Sequence, residues 1–502
     1  MKSETNIGRR SFIVGAASAT GVAGLVGLSH ILGHRDNNSL APQGSAVWVT
    51  TTQNSPWQMR PLHFTASRWN PTNLEVLLDR TFQTMEGFGG CFNELGWTSL
   101  QVLSSSAQDT IFKELFTPGH GGNLSICRTP VAANDFSRSW YSYDESPGDF
   151  DLAHFTIAND LETLVPFIKK AQSYNPSLRV WASPWSPPSW MKRNNFYAEA
   201  SPSPDLPPNG IQPGQVGSEG SDMFIQEDRY FAAYANYFGR FVDAYRKVFI
   251  DVRMVMPQNE FNSAQPFPSC TWTPQGLARF IEHLGPAMTE RGVDIFFGTL
   301  ERANASLLDA FFKSSEQVSR YIKGVGIQWA GKDALPEIHE NYPNLSVYQS
   351  EQECGDGQND WKHCIHCWDL MKFYLRNGAS AYMYWNLSLP LDGKSHWGWR
   401  QNSLVSVDLS TRTYKFNHEY YLLKHVSHFV QPGAHRVDVR GILTDALAFV
   451  NPDGSVAVIL RNSAPFGRPV TMVLGRRRIE AWMEPDSFNT VLLRPEHRGN
   501  PE

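Results

Sequence analysis

Two glutamates, Glu260 and Glu351, close apolar, strand-like runs of sequence: residues 251–260 end in Gln258-Asn259-Glu260, and residues 345–352 carry Ser350-Glu351 near their end. Two carboxyl groups facing one another across a cavity can break a glycosidic bond, one protonating the leaving oxygen while the other attacks or stabilises the anomeric carbon. Neighbours divide those roles. Apolar neighbours such as Phe261 disfavour a charge and suit an acid, whereas hydrogen-bond donors keep a carboxylate ionised and nucleophilic. Asn259, beside Glu260, is placed to hydrogen-bond a sugar 2-hydroxyl. On residue types alone a structural and a catalytic carboxylate are both open at each position, and Glu94, Glu301, Glu353 and Asp135 compete for the same work.

The elements that would position these groups recur along the chain. Eight apolar or β-branched runs, at 84–90, 124–131, 178–185, 251–260, 294–300, 323–330, 345–352 and 379–386, alternate with helical stretches. That alternation predicts a closed parallel (β/α)8 barrel, an α/β fold of the TIM type, whose chemistry sits where strands end. The ends are polar and aromatic: Arg128-Thr129-Pro130 with Asn134-Asp135 after run two, Trp185 at run three, Gln328-Trp329 at run six, Tyr384-Trp385-Asn386 at run eight. Runs four and seven oppose one another in such a barrel, which predicts a carboxyl separation of about 5 to 5.5 Å, as in retaining enzymes. Trp185, Trp329 and Trp385 can wall a pocket around one sugar ring, and Trp397 and Trp399, in a loop, can line its entrance; each is also suited to core packing.

The rest of the chain frames this barrel. We read residues 1–34 as a signal segment, 35–45 as a linker, 46–80 as the first strands of a β-sandwich, 81–425 as the barrel and 426–498 as the remainder of the sandwich. Residues 199–222, rich in Ser, Pro and Gly, predict a long loop at the barrel mouth. Residues 227–249 place Tyr230, Phe231, Tyr234, Tyr237, Phe238 and Phe241 at helical spacing, as a core-facing stripe. Gly8-Arg9-Arg10-Ser11-Phe12, followed by a moderately apolar stretch, resembles a Tat signal and implies bacterial export to the periplasm or beyond, with no stable membrane insertion once it is removed.

Composition narrows the partners. A net charge of -5 leaves no basic footprint for nucleic acid. With 13% aromatic residues, including 16 Trp, there is ample flat surface for stacking on sugars, so a carbohydrate substrate is expected and no cofactor is. Six cysteines are too few for a disulfide scaffold. Cys354 and the stretch His363-Cys364-Ile365-His366-Cys367 carry potential metal ligands but match no standard zinc spacing, so packed thiols or one disulfide are expected there and no metal.

Gly87-Phe88-Gly89-Gly90, Arg128-Thr129-Pro130 with Asp135-Phe136-Ser137, Ala182-Ser183-Pro184-Trp185-Ser186-Pro187-Pro188, Gln258-Asn259-Glu260, Ser350-Glu351 and Tyr384-Trp385-Asn386-Leu387 resemble, in order, the motifs of glycoside hydrolase family 30, the glucosylceramidase-like retaining enzymes. The resemblance implies a side β-sandwich, Glu260 as acid/base, Glu351 as nucleophile, and a sugar subsite shaped by Arg128, Asp135, Trp185, Asn259 and Trp385. It implies action on a β-glucoside, β-fucoside, β-xyloside or β-1,6-glucan. Many relatives carry Pro where this chain has Phe261, Thr-Asp where it has Asn93-Glu94, and His-Trp-Tyr where it has Gln328-Trp329-Ala330. Those differences motivate the alternative of a non-catalytic sugar-binding protein on the same fold.

Overall fold

The computed structural model describes residues 46–65 and 71–495; residues 1–45, with the twin-arginine segment, lie outside them. Eight parallel strands form the barrel: β1 (Gly87–Cys91), β2 (Ile126–Val131), β3 (Arg179–Pro184), β4 (Val252–Val255), β5 (Asp294–Leu300), β6 (Ile322–Gln328), β7 (Ser346–Glu351) and β8 (Ala379–Pro390). They pair in chain order, and β8 closes the ring by pairing with both β7 and β1. Strands such as β2 are buried at every residue, because helices cover the outer face and side chains fill the inner one. Ile126, Trp181, Met254, Met256, Phe296, Tyr348, Ala381 and Met383 make that inner plug. At Gly89 any Cβ would fall 1.6 Å from the Ile126 carbonyl oxygen, so only glycine lets β1 lie this close to β2. The helix Asp228–Lys247 buries Phe231, Tyr234, Tyr237, Phe238 and Phe241 as its spacing predicts, with Tyr230 half-buried.

Several of the runs are bounded differently from the sequence reading, and run 379–386 continues as strand to Pro390, which places Trp385 inside β8. Run 84–90 is broken at Met85-Glu86: Thr84 ends a long sandwich strand, Leu74–Thr84, and β1 begins only at Gly87. Run 251–260 is a strand only to Val255. Pro257 has no N–H for a ladder, and residues 256–260 leave the sheet, with Glu260 at a left-handed φ of 49°. Run 323–330 stops at Gln328, where Trp329, also at φ 49°, opens a 3-10 turn, Trp329–Ala334. Two functional candidates thus sit on turns directly after strands, where backbone direction changes and side chains can be aimed inward.

Both ends of the described chain build the sandwich. Ala46–Thr52 pairs antiparallel with Ser487–Leu493, and Leu74–Thr84 with His435–Gly441. Its core gathers Trp48, Leu74, Val437, Val458, Val470, Met472 and Val491. The strands Ser55–Met59, Leu62–Phe64 and Arg477–Met483, and the hairpin Ser403–Asp408 with Thr413–Phe416 that extends β8, escape the sequence reading. Most are short or carry polar and charged residues, as edge strands do, which hides the two-residue period. Sandwich and barrel are joined through the helix His418–Ser427: buried His425 lies 2.8 Å from both the Thr51 and Thr490 hydroxyls.

Candidate active site

Glu351, the last residue of β7, and Glu260, just beyond β4, meet at the mouth of the barrel, 3% and 1% exposed. One side chain connects them. The Gln328 amide, at the end of β6, donates from Nε2 to Glu260 Oε1 at 2.9 Å and to Glu351 Oε2 at 3.2 Å, so those two oxygens are no more than about 6 Å apart. The Gln328 carbonyl oxygen accepts from the Ser350 hydroxyl at 2.8 Å, which fixes the amide with its nitrogen toward the carboxylates.

Glu351 is the more heavily bonded of the pair by charge. Arg128 Nη1 pairs with its Oε2 at 3.1 Å and the Trp329 indole N–H donates to its Oε1 at 2.9 Å. Arg128 is fully buried behind the pair; its Nη2 donates to Ser183 Oγ and to Asn259 Oδ1, both at 2.7 Å. Burial pulls the guanidinium's pKa down and the Glu351 carboxylate opposes the shift. Arg128 therefore shapes the mouth through Glu351 and Asn259 and presents no surface of its own. Asn259 Oδ1 also accepts from Gln328 Nε2 at 3.2 Å and Thr299 Oγ at 3.3 Å, which leaves Nδ2 as the group able to donate to a ligand. Thr299 Oγ in turn accepts the Glu260 backbone N–H at 2.8 Å and so secures the left-handed turn that aims Glu260.

Aromatic rings back this polar layer. Trp185 and Trp385 stack with centroids 5.4 Å apart, and the Arg128 guanidinium lies 4.4 Å above the Trp185 ring. Both belong to a buried cluster with Cys91, Phe136, Phe267, Cys354, Trp397 and Trp399; Leu206, from the 199–222 loop, packs against it. Trp399 sits edge-on to Phe267 at 4.6 Å, 7% exposed, so it works from inside the wall of the mouth. Asp135, 4% exposed, follows β2 and is near enough to Arg128 and Cys91 for its charge to act on both.

The model of the glycosyl hydrolase family 30 TIM-barrel domain matches residues 85–430, and that of the family's β-sandwich domain matches residues 433–491. The chain belongs to glycosyl hydrolase family 30. It is a glycoside hydrolase on a TIM barrel with a β-sandwich, and its substrate is a carbohydrate. It is 28% identical over 437 residues to the lysosomal acid glucosylceramidase of Mus musculus, covering 80% of each chain. It is 26% identical over 426 residues to an endo-1,6-β-D-glucanase of Aspergillus fumigatus, covering 80% of this chain and 82% of that protein. Among solved structures it resembles an endo-β1,6-glucanase with a TM-score of 0.77 at 22% identity, over 90% of this chain and all of that one, a likeness of fold.

In this family 30 enzyme the competing carboxylates Glu94, Glu301 and Glu353 have structural partners. Glu94 accepts Arg138, Asn159 and Thr163. Glu301 accepts the Ser263 hydroxyl at 2.8 Å. For Glu353, burial opposes ionisation, but hydrogen bonds from His366 and Lys332 outweigh it and bring the carboxyl down to about 2. All six cysteines are buried free thiols, which removes the disulfide alternative. Gln328, Thr299 and Ser183 are the site residues that the sequence reading passes over. Their signal was present: each is a polar residue at or near the end of a strand whose other inward positions are apolar. Gln328 stands in the sequence reading as a polar strand end and a departure from relatives, and its amide and the Trp329 indole join Arg128 in supplying the donors that hold Glu351.

Proposed function

We propose that this chain is an exported retaining β-glycosidase that cleaves its substrate by double displacement, with Glu351 as nucleophile and Glu260 as acid and then base. The observation that carries the reading is the single Gln328 nitrogen touching both carboxylates. With their facing oxygens no more than about 6 Å apart, the two carboxyl groups fit the about 5 to 5.5 Å of retention.

The donors support the division of labour. A guanidinium and two N–H groups face Glu351, an environment that favours an anion poised to attack, whereas Glu260 Oε1 takes a neutral amide. In the first step Glu351 bonds to the anomeric carbon while the Glu260 proton goes to the departing oxygen. In the second, Glu260 takes a proton from water, whose oxygen displaces Glu351 from the same carbon and restores the β configuration. Asn259 Nδ2 is oriented to donate to the sugar 2-hydroxyl as charge develops. The names of the relatives share a glucosyl unit, so we favour β-glucosides, including β-1,6-glucan, over β-fucosides and β-xylosides.

Proton NMR of the first-formed sugar tests the reading: the β-anomer is expected, and an initial α-anomer overturns it. Replacing Arg9-Arg10 with two lysines tests export; the unprocessed chain should then stay in the cytoplasm.

A further inference from the structure

Helix Trp361–Arg376 carries His363 and Cys367 four residues apart, on one face. Glu419, from the helix His418–Ser427, meets them there, and one ligand-capable atom from each of the three lies within 4.8 Å of the other two. These side chains are not packed as ordinary core. His363 Nε2 and Glu419 Oε2 are buried without a hydrogen-bond partner, a costly state for polar atoms in a protein interior.

The contacts around the three donors are those that orient metal ligands. Glu419 Oε1 accepts the Asn402 amide at 2.9 Å, leaving Oε2 to bind. Cys367 Sγ accepts the Gln352 amide at 2.8 Å, a bond that steadies a thiolate. His363 Nε2, buried without a hydrogen-bond partner, is a ring nitrogen free to bind.

We propose that His363, Cys367 and Glu419 form a structural zinc site. Imidazole, thiolate and carboxylate are the ligand types zinc takes, and one of each balances its two charges, leaving a neutral buried centre. Bonds of about 2.0 to 2.3 Å place donors roughly 3.5 Å apart, so side-chain adjustments of about 1 Å close the site. Water completes the tetrahedron, bordered by the Tyr384 hydroxyl, which is buried, has no hydrogen-bond partner and feels the charges of Glu419 and Cys367. As the ion binds, Cys367 and Glu419 release their protons to solvent. The ion ties two helices together behind β8. Through Cys367 and Gln352 it also steadies the chain leaving Glu351, without reaching the reacting sugar.

Titration of the full chain, freed of metal by chelator dialysis, with zinc and separately with cobalt tests the site. One equivalent of either metal should bind, cobalt with a thiolate charge-transfer band, and zinc should raise Tm. Cys367→Ser should abolish the band and weaken zinc binding about 100-fold or more, while Cys127→Ser, a buried thiol elsewhere, should change neither. Glu351→Ala should bind zinc as the parent does, which separates this site from the catalytic reading. Folded parent protein that takes up no stoichiometric metal, or Cys367→Ser that keeps the cobalt band, overturns the proposal; the parent titration decides even if the variant fails to fold.

Discussion

Each end of the barrel sets a glutamate against an arginine, and the two pairs differ in their access to water. At the mouth, Glu351 and Arg128 are 4% and 0% exposed by side chain and 3.1 Å apart. At the floor, Glu86, just before β1, pairs with Arg179, the first residue of β3, at 3.2 Å, with side chains 29% and 39% exposed. The Tyr348 hydroxyl also donates to Glu86, and the group borders a cavity of about 170 Å³. Similar partners at similar distance do different work, because solvent screens the floor pair while burial makes the mouth pair strong and costly to break. A barrel strand thus presents chemistry at one end and a solvated charge cluster at the other. The apolar plug around Trp181, Met254 and Phe296 separates them.

Four outcomes would break or sharpen that contrast. The largest concerns turnover. Glu351→Ala should lower kcat by on the order of 10^4-fold or more, with partial recovery on adding azide, while Glu86→Ala stays within about twofold on the same aryl glucoside. Full activity of Glu351→Ala without azide would sink the assignment. Next comes stability: Arg128→Met should cost about 3 to 5 kcal/mol in chemical denaturation by stranding a buried carboxylate, and Arg179→Met about 0 to 1 kcal/mol. Equal losses would mean that burial is not what distinguishes the two ends.

Smaller effects probe the supports. Gln328→Leu removes one donor from both carboxylates and should reduce kcat/KM about 10- to 100-fold with a shifted pH profile, a change that a purely packing role would not produce. The fourth outcome concerns a buried carboxylate held by hydroxyls in place of an arginine. Burial raises Asp160 to about 6, against hydrogen bonds from Tyr143, Tyr245 and Tyr141. Its folded pKa lies above the unfolded value, so its contribution to stability is full below about pH 4 and is lost as pH rises through 6. Asp160→Asn should flatten that component, about 2 to 3 kcal/mol, in denaturation measured from pH 4 to 7.

Much of the architecture and of the site was legible in the residues. Eight apolar runs punctuated by helical stripes point to a parallel barrel under helices; Glu351 closes β7 and Trp185 directly follows β3 as that reading expects, whereas Trp385 lies inside β8, which runs on to Pro390. Glu260 sits on a different element from the one its run predicts: Pro257 ends β4 early, and a left-handed turn braced by Thr299 aims the carboxylate. Strand period says which face a residue takes; it carries no information about hydrogen bonds between strands far apart in sequence. The joining of Gln328 to Glu260 and Glu351, the sheltering of Arg128 by Ser183 and Asn259, and the convergence of His363 and Cys367 with Glu419 were therefore decided by tertiary structure. Each depends on which side chains share a space of a few ångströms once the chain has closed, and that distance is not written in any local pattern.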